Sequence, residues 1–189
     1  MKTSVTKKRI VNGVDVDKLF DTIEAIKETP SFAKFKFRAN NKWINAGHNH
    51  TTIKDFFGVQ KDIQHEKPFE LDAGEHPVLL SEDEGPNPVE YLLTALAGCL
   101  TSALVYHAAA KGIEIRGVRS RLEGDIDLRG FLGISPNVKV GYENIRVFFD
   151  IDADISDEQR DELIRMAQKF SPVFNTVFHE TPVEVKLEK

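Results

Sequence analysis

The chain has 189 residues, 41% of them hydrophobic, and a formal charge of −5, which suits one core-forming domain with an appendage. The acid excess speaks against nucleic-acid binding, which calls for a basic patch. Lys2, Lys7, Lys8 and Arg9 precede no apolar run, so no secretory signal is read. Cys99, the single cysteine, excludes an intrachain disulfide and, without a signal, points to the cytoplasm.

Residues 14–29 carry Leu19, Phe20, Ile23 and Ile26 on one helical face and end at Pro30. Residues 1–30 are therefore taken as a helical extension, and 31–189 as the main domain. Residues 31–39 alternate Ala33, Phe35 and Phe37 with Lys34, Lys36 and Arg38, the pattern of a half-buried strand. Asn40-Asn41 suggests a tight turn into a second strand through Trp43 and Ile44. Residues 48–65 show no clear period. His48 and His50 have a spacing that metals use, but no third ligand stands at a recognisable distance, so the stretch is read as a polar loop and no metal is assigned. One or two short strands are expected over 69–80, followed by the acidic run Ser81-Glu82-Asp83-Glu84.

The chain is organised around the stretch that follows. Asn87 suits a helix N-cap, Pro88 the first helical position, Glu90 a capping-box acid and Gly112 the C-terminal stop. A helix between them is roughly 36 Å long and apolar nearly all round, which predicts burial. Thr94, Gly98, Thr101, Ser102 and His107 dilute the apolar run, and it is the only such segment. It is therefore read as a core helix and not as a membrane span.

Beyond Gly112, alternation predicts a strand through Val118–Leu128, a loop over 130–141 and a second strand through Ile145–Ile151. Ser156-Asp157-Glu158-Gln159 is a capping box opening a helix with Leu163, Ala167 and Phe170 inside. Ser171-Pro172 caps a new short turn, and Val183, Val185 and Leu187 predict a last strand. This order favours α+β over a parallel α/β sheet.

Cys99 is the only thiol available for chemistry. It lies about three turns into its helix, beyond the reach of the helix dipole. A thiolate there needs a cation from elsewhere, with Arg38 or Lys42 as candidates. Glu90 falls on roughly the opposite side of the helix from Cys99.

The run Asn87-Pro88-Val89-Glu90-Tyr91-Leu92-Leu93-Thr94-Ala95-Leu96-Ala97-Gly98-Cys99 resembles the signature of the OsmC/Ohr family, osmotically inducible protein C and organic hydroperoxide resistance proteins. Ser171-Pro172-Val173-Phe174-Asn175-Thr176 is similar to the family's second motif. The resemblance implies an α+β fold in which two chains intertwine as a homodimer, with antiparallel sheets wrapped around long central helices. It also implies interface sites where a cysteine pair reduces organic hydroperoxides.

Two positions depart from that pattern. Ser171 stands where the resolving cysteine is expected, and Val89 stands where a glutamate would hold the activating arginine, for which Arg38 is the nearest match. Two readings follow, neither with a cofactor. Cys99 reduces hydroperoxides with an external thiol as resolver, or the fold persists as a silent dimer that binds a hydrophobic small molecule. Leu96, Tyr106, Phe174 and Phe178, with His107 on the helix beyond Cys99, are the expected pocket residues for either ligand.

Overall fold

The structure is a computed structural model and describes residues 8–188. They form two compact units, one of residues 8–9 and 15–92, the other of 10–14 and 93–188.

Strands β1 (Ile10–Val11) and β2 (Val14–Asp15) are joined by Asn12-Gly13. Both turn residues have positive φ, 52° and 78°, as a type I′ hairpin requires. In the second unit the Asn12 side chain reaches far along the sequence. Its Nδ2 donates to the Ile113 carbonyl at 2.9 Å and its Oδ1 accepts from Ile115 N at 2.8 Å.

In the first unit, α1 (Val16–Glu28) is capped by Asp15 and stopped before Pro30, close to the expected bounds. The alternating stretch after it is only partly a strand. Pro30 starts a 3₁₀ turn over Pro30–Ala33, leaving β3 with Lys36–Phe37. The Asn40-Asn41 turn does not form either: both asparagines lie inside β4 (Asn40–Asn45), and the chain reverses at Ala46-Gly47, with Ala46 at φ 44°. The stretch read as a polar loop is two long strands, β5 (His48–Gly58) and β6 (Lys61–Ala73), in antiparallel register from Asn49↔Ala73 to Gly58↔Lys61. Both faces of these strands carry polar groups, so no period of two in hydropathy marks them. A 3₁₀ turn at Pro77–Leu79 and the acidic loop lead into α2.

Helix α2 (Pro88–Ala110) has the expected length. From Leu93 onward it belongs to the second unit, where Leu96, Leu100, Leu104 and Ala108 form a buried stripe. Ile151, Ala153, Leu163 and Ala167 close the core over it. By length and composition α2 is the one helix among the described residues that could cross a membrane; the stripe accounts for its apolar run as core. Burial all round does not hold, because Ala95, Gly98, Ser102 and Tyr106 are exposed along another stripe.

Strands β7 (Ile115–Asp125) and β8 (Asn144–Ala153) form an antiparallel pair. Leu128 is not part of β7. Asp127 caps a short α3 (Leu128–Phe131) and ends the alternation there. The Ser156 capping box forms as expected and opens α4 (Asp157–Phe170), and α5 (Pro172–Phe178) follows directly. The last predicted strand is absent: Val183, Val185 and Leu187 are 82–90% exposed, and among the described residues no strand pairs with them. Alternation permits a strand, but only a neighbour's backbone makes one. The whole is α+β with antiparallel strands.

Candidate functional site

Cys99 sits at the border of the two stripes of α2. At 100° per residue it falls beside the core line of Leu96 and Leu100 and next to the open line of Ala95, Ser102 and Tyr106. Its thiol is half-buried and free. Gly98 leaves the adjoining surface low: a Cβ placed there would meet nothing within 4 Å.

The expected pocket residues part company in the second unit. Leu96, 2% exposed, is withdrawn into the core, where it offers no accessible wall, while Tyr106 and Phe178 are largely in solvent. Phe174 packs against the core and stacks on Phe178 with ring centres 5.5 Å apart. His107 stacks on Phe170 at 4.6 Å. Its imidazole is pushed below the ordinary range, first by burial and then by the charge of Lys111.

Ser171, expected to stand at the resolving position, is completely buried. Its N–H closes α4 on Ala167, and its Oγ accepts from Phe174 N at 3.1 Å to open α5. The hydroxyl is a helix cap.

Arg38 lies in the first unit, clamped between Asp55 at 2.5 Å and Asp62 at 2.8 Å. These bonds, Asp55 first, hold the guanidinium even further above neutrality than usual. The same unit frames the start of α2. Asn87 Oδ1 accepts from Val89 N, the second residue of the helix, at 2.8 Å, and Asn87 N donates to Glu90 Oε2 at 2.9 Å, the acid half of a capping box. Asn87 Nδ2 also binds Glu75, and Tyr91 Oη donates to the Asp72 carbonyl at 2.7 Å.

A model of the family described as OsmC-like protein matches residues 81–186, more than half of the chain. The chain belongs to the OsmC-like family. Among curated proteins no match is found. Solved structures with similar folds include an OsmC-like protein of Mycoplasma pneumoniae, with a TM-score of 0.58 and 19% identity over 77% of this chain and 89% of that one. Another is an OsmC-like protein of unknown function from Vibrio cholerae, with a TM-score of 0.57 and 11% identity over 75% and 92%. A third is an organic hydroperoxide resistance protein OsmC from Legionella pneumophila, with a TM-score of 0.53 and 19% identity over 75% and 88%. At these identities the likeness is one of fold. It covers about three quarters of this OsmC-like chain.

Sequence reasoning missed one polar cluster in this OsmC-like protein. On β5 and β6, His48, His50 and Thr52 face Glu70 and Asp72. The even numbering on both strands would have revealed it once the strands were known. Among the described residues no group of three or more His, Cys, Asp and Glu side chains could hold a metal ion.

Proposed function

We propose that this OsmC-like protein is a homodimeric stress-response protein in which Cys99 reduces organic hydroperoxides and an external thiol resolves it. The observation that carries this reading is the half-buried free thiol of Cys99 beside the open, small-residue surface of Gly98. A second copy of α2 laid on Ala95, Gly98 and Ser102 would approach closely and turn that surface into the wall of an apolar pocket. The proposed setting is the cytoplasm, with no nucleic-acid or membrane partner and with residues 31–189 as the working domain.

The chemistry balances without a cofactor. The Cys99 thiolate attacks the terminal peroxide oxygen and the O–O bond breaks. The alkoxide takes up a proton and leaves as an alcohol, and Cys99 becomes a sulfenic acid. An external thiol then attacks that sulfur, releasing water and forming a mixed disulfide, which a second thiol reduces. Ser171 has no part in this sequence, because a serine forms no disulfide.

The clamped Arg38 favours a second reading, a silent dimer that binds a hydrophobic small molecule. Its charge is already compensated by two carboxylates. Titration with an alkyl hydroperoxide, followed by sulfenic-acid trapping and mass spectrometry, separates the two. Stoichiometric trapping on Cys99, absent in Cys99→Ser, is expected. A thiol still reduced under a large excess of peroxide overturns the peroxidase reading and leaves the binder.

A further inference from the structure

The His48–His50–Glu70–Asp72 cluster lies outside the thiol chemistry, and its geometry dictates a protonation state. His50 Nδ1 is 2.9 Å from Asp72 Oδ1 and His50 Nε2 is 2.8 Å from Glu70 Oε2. Only an imidazolium, which has a proton on each nitrogen, can donate to both. A neutral ring turns one lone pair toward a carboxylate oxygen at under 3 Å, and one of the two contacts must open.

Other groups sharpen the dependence. Asp72 Oδ1 also bonds His48 Nε2 at 3.0 Å, and Thr52 Oγ1 donates to Glu70 Oε2 at 2.7 Å. Lys42 on β4 is the cross-strand partner of His50. In the acidic loop, the Glu84 carboxyl is held below its ordinary range by backbone hydrogen bonds first and, as the last contribution, by the charge of His48. Asp72 joins this cluster to the start of α2. Its carbonyl takes the Tyr91 hydroxyl, and the loop comes so close that a Cβ on Gly85 would fall 2.2 Å from Asp72 O. Whatever shifts β6 at Asp72 shifts the seat of residues 85–91.

We infer that the His50 cluster is a proton-operated latch, closed when His50 is an imidazolium bridging Glu70 and Asp72 and loosened on deprotonation, which sets how firmly the first turn of α2 is held to β6. The carboxylates, Asp72 first, hold the His50 imidazole above its ordinary value. The latch is therefore fully closed below about pH 6.5 and opens as pH rises through the higher native value. Glu70 and Asp72 are held below the usual carboxylate range, so the closed state fails only in stronger acid. Mild acidity is where it holds best.

Hydrogen exchange of residues 70–75 and 85–91 in the full chain, corrected for intrinsic rates, tests this at about pH 5.5 and about pH 8.5, either side of the imidazole range. Protection in the native protein is expected to fall about two- to fivefold at the higher pH, the size exposed ion pairs support. In His50→Gln it is expected to be equal at both. Unchanged native protection, or the same pH dependence in His50→Gln, overturns the latch. If that variant does not fold, the imidazole proton resonances of the native protein decide. Titration of His50 above the ordinary range supports the latch, and an ordinary titration refutes it.

Discussion

Replacing Ser171 by alanine isolates what this residue does at the position where the resemblance implies a cysteine. The hydroxyl is completely buried and accepts the Phe174 N–H at 3.1 Å. Loss of a serine N-cap costs about 0.5–2 kcal/mol, and a buried N–H left without a partner costs about 1–3 kcal/mol. Both figures describe the same broken bond, so they are not summed, and a loss of roughly 1–3 kcal/mol is expected. For a chain of this size, each kcal/mol lowers the melting midpoint by about 2–4 °C, a fall of roughly 2–12 °C for Ser171→Ala by circular dichroism. Urea titration should show the same loss with an unchanged slope. Ser171→Cys should also be less stable than the native chain, since sulfur is a weak acceptor. A Ser171→Ala loss below about 0.5 kcal/mol, within the range of ordinary surface substitutions, would refute the capping account.

Asn12→Ala removes two hydrogen bonds to the backbone at Ile113 and Ile115 and places alanine at φ 52°. A loss of about 1–3 kcal/mol in urea titration is expected, and an unchanged midpoint would show that the bridge is dispensable. His107 should give a pH dependence opposite in sign to that of His50. Its native value is depressed by burial, so the unfolded chain binds the proton more readily, and stability falls as pH drops below about 6.5 toward the native value. His107→Leu should remove that acid-side loss in thermal melts between about pH 7 and pH 5; a persisting slope would assign it elsewhere.

The legible parts of the sequence were those where one local signal fixes both an element and its end. Asn87-Pro88 with Glu90, and Ser156 with Gln159, are cap chemistries, and both helices begin where these residues stand. The β5–β6 hairpin was illegible because it turns on Val59-Gln60, with φ of 49° and 61°. Those residues lack the Asn-Gly chemistry that marks such turns, and a valine with positive φ is held there by the strands it joins. The true Asn-Gly turn, at Asn12-Gly13, joins strands of only two residues each, too short to show a pattern. Motif spacing singled out Cys99 and Ser171 but said nothing of their surroundings. Whether a thiol meets a cation, or a hydroxyl meets an amide, depends on contacts distant in sequence.

The uncovered C-terminal stretch bears on how the protein behaves at high concentration. Val183, Val185 and Leu187 put three apolar side chains into water within five residues, a window with the β-propensity of an aggregation nucleus. Glu184 and Lys186, paired at 2.8 Å, and Glu188 interrupt it at every second position. They act as gatekeepers: stacking two such segments would crowd their charges together, so the same alternation that makes the stretch look like a strand keeps it soluble while it lacks a partner.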